Sequence, residues 1–431
     1  MREVDEFTIK FVRGIQVLDS RGDPTVEVTV VTEAGGMGRA IAPAGASRGR
    51  LEAVDLRDGG KDYRGRGVLR AVEAVNKYIA PAIIGMNSFM YRNVDRKIIE
   101  LDGTENKARL GGNACTATSL AVINAAADTA GLPLFQFIGG SRARTLPVPL
   151  MNVINGGAHA GNKLSIQEFM IAPVGADTFH DAIKIAVEVY KTLKELLKAT
   201  YGASAINVGD EGGFAPPMTS TRDALQALYK AVSVAGYEPG SDVYFALDAA
   251  ASHFYDPSEK KYLIDERKLK PLELVEYYID IINEYPVKLI EDPFSEDHPE
   301  YFKMLRSKVR GKVLIIGDDL TVTRASRISK FISEEIIDGA IIKVNQVGTF
   351  SEAEDSIRVL LRNDRKAIVS HRSGDSEDVT IAHIAVGFET GLIKTGAPAR
   401  SERTSKYNEL LRIEDYLGGD AIYSGKNAFL R

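Results

Sequence analysis

Three short apolar runs lie between Val287 and Asn345, and each ends on charge. Val287-Lys288-Leu289-Ile290 runs into Glu291-Asp292-Pro293. Val313-Leu314-Ile315-Ile316-Gly317 runs into Asp318-Asp319, and Ala340-Ile341-Ile342 into Lys343-Val344-Asn345. A parallel strand covered on both faces reads as a continuous aliphatic run. A charge at its end is not core filler, because charged side chains are almost never fully buried unpaired. It belongs at the rim, where the strand opens into a loop. The same grammar recurs upstream, where Val243-Tyr244-Phe245-Ala246-Leu247 ends at Asp248. Downstream, Ala367-Ile368-Val369-Ser370 ends at His371-Arg372, and Leu392-Ile393 at Lys394. Helical segments separate most of these runs, which predicts βαβ units around a parallel sheet. Many strands ending in charge favour a regular (β/α)8 barrel, whose active site is built from the C-terminal ends of its strands. A doubly wound sheet is the alternative, but it usually carries a Gly-rich first turn. The chain has no such fingerprint and no GxxxxGK[ST] phosphate loop.

Ahead of the barrel, residues 7–18 and 25–31 read as β-rich strands joined by the turn Arg21-Gly22-Asp23-Pro24. Residues 43–49 hold Ala44, Gly45, Ala46 and Gly49 with no periodicity, and read either as a surface connection or as a lid. Helical periodicity follows over residues 68–84, 91–101 and 113–130, closed by Pro133 and Gly139-Gly140. Strands followed by helices predict an α+β domain over residues 1–140. Residues 141–431 form the expected catalytic domain, with a further strand at 165–173 and a helix at 179–200.

Length decides between one core and two, because 431 residues exceed the roughly 250 of an α/β barrel. A net charge of −5 argues against a nucleic-acid footprint. No apolar run approaches the roughly 20 residues of a membrane span, and residues 1–10 lack a signal-peptide core. Cys115 is the only cysteine, so a cytoplasmic location is expected, with Cys115 itself a small buried hydrophobe.

If the barrel forms, Asp248, Glu291 and Asp318 converge on one rim. Close carboxylates repel, and a divalent cation would relieve them. An all-oxygen set suits Mg²⁺ or Mn²⁺. Lys343 and Lys394 face the same rim, where metal and mutual repulsion would lower a lysine pKa toward that of a useful base. The bland alternative is a structural ion pair with one of the carboxylates. Glu168 and Glu211, flanked by His159, supply acid on the opposite side. Base, acid and metal together suit removal of a proton beside a carboxylate.

Long motifs carry a resemblance to a known family. They include Asp19-Ser20-Arg21-Gly22-Asp23-Pro24-Thr25-Val26-Glu27-Val28, Gln167-Glu168-Phe169-Met170-Ile171 and Val208-Gly209-Asp210-Glu211-Gly212-Gly213-Phe214-Ala215-Pro216. Further along stand Lys343-Val344-Asn345-Gln346-Val347-Gly348-Thr349, Ser370-His371-Arg372-Ser373-Gly374 and Lys394-Thr395-Gly396-Ala397-Pro398-Ala399-Arg400-Ser401-Glu402-Arg403. On these residues the chain resembles the enolase family from near its first residue to its last. A lysine base with Mg²⁺ is the established arrangement of that superfamily, so the pairing is not a deduction from spacing alone.

The resemblance implies interconversion of 2-phosphoglycerate and phosphoenolpyruvate with two Mg²⁺ ions. Asp248, Glu291 and Asp318 match ligands of the first ion and Ser47 the group reaching the second. Lys343 matches the base at C2. Glu211 matches the acid that helps the C3 hydroxyl leave, with Glu168 and His159 beside it. Arg372 and Ser373 match phosphate contacts, Lys394 a contact to the substrate carboxylate, and His371 a residue near the base. The implied fold is a capping α+β domain on a barrel of irregular ββαα(βα)6 order, assembled as a homodimer or larger homo-oligomer. Departures from the family pattern are Ala44 and Arg48 in the first loop, Asp23 for Asn, the stretch around Cys115, and His383 for Asp. The rival readings are another superfamily activity on a different carboxylate, and an enolase-like protein with a binding or structural role.

Overall fold

A computed structural model describes residues 5–45, 49, 51–157 and 160–430. Ser47, Arg48 and His159 lie outside the described residues.

The strands Ile9–Leu18, Pro24–Thr32 and Met37–Ile41 form an antiparallel meander. Its first turn is fixed by Asp19, whose Oδ1 accepts from the amides of Arg21 (2.8 Å) and Asp23 (2.9 Å). Alternation in the central strand sends Val26, Val28 and Val30 to one buried face. That face packs on the helix Gly112–Thr129, which is buried along almost its whole length. Its alanines explain the close fit. A Cβ on Gly38 would lie 2.1 Å from the Ala121 carbonyl oxygen and 2.2 Å from the Ala125 nitrogen. Cys115 is buried in this helix as a small apolar residue. The helical stretch expected over 68–84 contains a π-helical segment, Ala74–Ile79, between the α-helical Leu69–Glu73 and Ala80–Ile83.

Eight strands close the barrel: Val148–Asn155, Glu168–Pro173, Val243–Asp248, Val287–Glu291, Leu314–Gly317, Gly339–Ile342, Lys366–Ser370 and Leu392–Lys394. The continuous aliphatic runs have the expected cause. Leu150, Met170, Ala246, Leu289, Ile316, Ile341, Ile368 and Leu392 fill the interior, while Met151, Ile171, Phe245, Ile290, Ile315, Ile342 and Val369 join the core that includes the surrounding helices.

The regular, all-parallel alternation does not hold. The second strand runs antiparallel to both neighbours. The connection before it folds back on itself, with the Gly157 amide donating to the Leu164 carbonyl (2.7 Å) and the Gly156 amide to the Gln167 carbonyl (2.9 Å). A return of this kind joins antiparallel strands, whereas parallel neighbours need a crossover. Two helices, Phe179–Tyr201 and Thr221–Val234, then precede the third strand. The order is ββαα(βα)6, as the resemblance implies. The reversal also puts the first residue of that strand, Glu168, on the rim carrying the C-terminal ends of the others, in register with Asp248.

At the other end of the barrel Arg306 and Asp338 form a buried pair, Nε to Oδ1 at 2.7 Å. Asp338 Oδ2 accepts from the Ile315 amide (3.1 Å), and Arg306 Nη1 donates to the Glu335 carbonyl (2.8 Å). The pair ties the helix Pro299–Val309 to two barrel strands. No single helix among the described residues is long and apolar enough to cross a membrane.

The meander sits over the barrel's C-terminal rim. The Ser20 amide donates to the Asp375 carbonyl (2.8 Å), and Ala44 and Gly374 exchange backbone bonds at 2.7 and 2.8 Å. Lys107 reaches Glu352 (3.0 Å) and Arg92 reaches Glu354 (2.6 Å), so charged pairs also cross from the first domain to the barrel.

Candidate active site

The third, fourth and fifth barrel strands end at Asp248, Glu291 and Gly317, with Asp318 next in the chain. These strands are hydrogen-bonded neighbours, so the three expected acids stand side by side on one rim. Lys343 follows the sixth strand, Ser370 closes the seventh and Lys394 the eighth. One cavity is lined by Glu168, Glu211, Asp248, Asp318, Lys343, His371, Arg372, Ser373 and Lys394. Every expected site residue among the described ones therefore lies on this cavity, except Glu291, which is buried and bonded to Lys394.

Lys394 Nζ is the electrostatic centre. It lies 2.7 Å from Glu291 Oε2, 2.8 Å from Asp248 Oδ2 and 3.2 Å from Glu168 Oε2. Burial alone would lower its pKa, but the three carboxylates raise it well above the ordinary lysine value. One ammonium cannot neutralise three acids. Burial and the Glu211 charge push Glu168 upward, and burial and the Asp248 charge push Glu291 upward, against the pull of Lys394. Asp318 fares differently. Burial would raise it, but the Lys343 ammonium, which bonds Oδ2, holds it below the usual carboxylate range.

The expected lowering of the lysine pKa supposed a metal at the carboxylates; the protein groups around Lys343 act the other way. Burial pulls Lys343 down, but Asp318, with Glu291 behind it, outweighs burial and raises it. The ion pair weighed as the bland alternative is therefore present. Among the described residues no group of three or more His, Cys, Asp or Glu stands ready for a metal ion; ammonium groups fill the spaces between the acids. The donor chemistry nonetheless suits a hard cation. The donors are oxygens, negative charge is in excess, and Glu291 Oε1 is buried without a hydrogen-bond partner among the described residues.

Glu211 lies on an irregular turn pinned from several sides. The Ala397 amide donates to its carbonyl (2.9 Å), and Tyr190 Oη donates to the Gly212 carbonyl (2.7 Å). Gly396, at φ +80°, makes room, since a Cβ there would meet the Glu211 carbonyl at 2.8 Å. The Glu211 carboxylate accepts from Asn152 Nδ2 at 3.1 Å and faces His371 Nε2 at 3.6 Å. His371 is buried, and burial lowers its pKa to about 4.

Several supporting residues escaped the sequence reading. Glu52 grips the Arg372 guanidinium with both oxygens, at 2.9 and 3.2 Å. It is followed by polar and apolar residues in no regular order and offered no signal. Arg403, fully buried, donates to His371 Nδ1, to the carbonyls of Arg372 and Ser373 (each 2.6 Å), and to that of Asp210 (3.1 Å). Gln346 Nε2 donates to Asp318 Oδ1 at 3.0 Å. Both Arg403 and Gln346 stood inside quoted motifs. Asp292, with φ +40°, accepts from the amides of Asp318 (2.9 Å) and Asp319 (2.8 Å) and fixes that turn. Burial and the neighbouring Asp318 raise Asp319 to about 7.

Comparison with known proteins follows the two halves of the fold. Residues 9–138 match the family described as "Enolase, N-terminal domain", and residues 143–431 match "Enolase, C-terminal TIM barrel domain". A protein named enolase from Thermococcus gammatolerans is 53% identical over 427 residues, 98% of this chain and 99% of the relative. Enolases from Aeropyrum pernix (52% over 422 residues, 98% and 97%) and Methanocaldococcus jannaschii (51% over 423 residues, 98% of each) are similar to the same extent.

Proposed function

The chain belongs to the enolase family, and from that premise we propose that it is a hydro-lyase that reversibly dehydrates 2-phospho-D-glycerate to phosphoenolpyruvate in glycolysis and gluconeogenesis. The observation that carries this reading is the cavity that Lys343, Glu211, Arg372, Asp248 and Asp318 line together, with Asp248, Glu291 and Asp318 on neighbouring strand ends.

In this reading Lys394 holds the substrate carboxylate, and Arg372 and Ser373 hold the phosphoryl group. Lys343 removes the C2 proton. Burial is the largest influence on Lys343 and acts to lower its pKa, so anything that draws the Asp318 charge away makes it a better base. Glu211 assists departure of the C3 hydroxyl as general acid, and the resemblance assigns Glu168 and His159 to the same step. Asp248, Glu291 and Asp318 would hold one Mg²⁺ and Ser47 would reach a second. When bound, the ions offset the negative charge that gathers on the substrate carboxylate as the proton leaves. His371 orients Glu211 from the far side.

The wider assignment belongs to the same proposal. Residues 1–140 cap the catalytic barrel of residues 141–431. A homodimer or larger homo-oligomer is supported by the outer face of the first sheet, where Phe11, Ile15 and Met37 are exposed. A cytoplasmic location is supported by the buried thiol of Cys115, the one cysteine. Absorbance at the phosphoenolpyruvate band, after adding 2-phosphoglycerate with Mg²⁺, tests the reaction. No rise with folded protein and metal present would overturn it.

A further inference from the structure

Arg372 has two sides. One faces the cavity, alongside Lys343, Ser373 and Lys394. The other is held by a buried carboxylate that does not line the cavity: Glu52 Oε2 accepts from Nη1 at 2.9 Å and Oε1 from Nη2 at 3.2 Å. The grip is end-on and two-pointed, so it fixes the plane of the guanidinium as well as its place. Asn345 Oδ1 accepts a further bond from Nη1 at 3.1 Å. A guanidinium held in one plane at a cavity wall is the group suited to planar recognition of phosphoryl oxygens.

Glu52 is in turn placed by two donors. The Gly49 amide donates to Oε1 at 3.1 Å and Gln346 Nε2 at 3.3 Å. The Gln346 amide is held in one orientation, because its Nε2 faces two carboxylates that can only accept, while its Oε1 accepts from Thr323 Oγ1 at 2.5 Å. The same Nε2 also donates to Asp318 Oδ1 at 3.0 Å. Arg372, Glu52, Gln346 and Asp318 thus form one connected path from the phosphate side of the cavity to the row of carboxylates.

We infer that Glu52 is a positioning residue for the substrate's phosphoryl group: its two-point grip fixes the place and plane of the Arg372 guanidinium at the cavity wall. This rests on the reading of Arg372 as a phosphate ligand. Glu52 also supplies a local counter-charge, so the buried guanidinium is paired whether or not phosphate is present. A bystander carboxylate would affect only folding. A positioning carboxylate changes recognition of phosphate while leaving the proton-transfer groups in place.

The test uses the full-length Glu52→Gln and Glu52→Asp proteins, with Arg372→Gln as control. KM and kcat for 2-phosphoglycerate are measured, together with competitive inhibition by inorganic phosphate and the melting midpoint. Glutamine cannot accept with both ends, so Glu52→Gln is expected to raise KM and the phosphate inhibition constant about tenfold each, with kcat within about threefold. Glu52→Asp keeps the charge, is expected to fall between wild type and Glu52→Gln, and serves if Glu52→Gln does not fold. Unchanged or tighter phosphate inhibition in both variants overturns the inference, as does a fall in kcat with KM unchanged. If Arg372→Gln also leaves phosphate inhibition unchanged, the phosphate reading of Arg372 fails and the inference with it. If Arg372→Gln weakens phosphate while both Glu52 variants do not, only the role of Glu52 is overturned.

Discussion

Arg403 Nη1 lies 2.6 Å from His371 Nδ1. A guanidinium only donates, so Nδ1 must accept, and the ring proton sits on Nε2, facing Glu211. This geometry assigns a single tautomer and excludes the doubly protonated ring. Burial acts in the same direction and lowers the pKa to about 4.

The predicted consequence is a histidine that stays neutral well below its ordinary pKa of 6.5. Nitrogen-15 NMR should report the Nε2–H tautomer of His371 from pH 8 down to about 5. The unfolded chain binds a proton here near pH 6.5 and the folded chain near pH 4. This group's contribution to stability is therefore full above the unfolded pKa and is lost as pH falls toward 4, on the order of 3 kcal/mol in all. A His371 signal titrating near 6.5 in the folded protein would contradict the assignment.

Metal removal should abolish turnover. Glu168, Asp248 and Glu291 share one ammonium, and burial together with the Asp248 charge raises the pKa of Glu291. Exhaustive chelation should stop phosphoenolpyruvate formation and added Mg²⁺ should restore it. Protons compete with the cation for Glu291, so Mg²⁺ affinity should rise with pH through the raised pKa of that group. Turnover undiminished after chelation would remove the metal assignment.

The barrel's far end should be sensitive to one atom. Asp338→Asn leaves the Arg306 guanidinium buried without its carboxylate. The expected loss is about 3–5 kcal/mol, read by urea unfolding, with the site itself intact. A loss below about 1 kcal/mol would show that the pair relaxes or is hydrated.

Much of this fold was legible because its causes are local. Strands covered on both faces must be aliphatic, and their charged ends must reach the rim, so Asp248, Glu291, Asp318, Lys343 and Lys394 could be placed without coordinates. The reversed second strand was not legible from pattern. Glu168-Phe169-Met170-Ile171-Ala172-Pro173 has the same apolar character in either direction, and only the backbone return through Gly156 and Gly157 decides it. Direction matters here, because Glu168 would otherwise face the far end of the barrel. Glu52 and Arg403 were missed for a different reason. Their partners lie 320 and 31–32 residues away in the chain, and no periodicity encodes a contact of that kind. The direct pairing of Lys343 with Asp318 was not legible because it depends on distances: the bond raises Lys343 against the effect of burial.

The central claim is a division of labour between Lys343 at C2 and Glu211 at C3, and isotope exchange reads it directly. Deuterium uptake at C2 of 2-phosphoglycerate in D₂O is followed by NMR for wild type, Lys343→Ala and Glu211→Gln, each with Mg²⁺. Lys343→Ala should lose both C2 exchange and phosphoenolpyruvate formation, by roughly 10²–10⁴-fold or more. Glu211→Gln should lose product formation by a similar factor but keep measurable C2 exchange, since Lys343 and the carboxylate row are untouched. If Glu211→Gln loses exchange as completely as Lys343→Ala, while both proteins stay folded and bind Mg²⁺, the two residues do not act in separate steps and the account is contradicted.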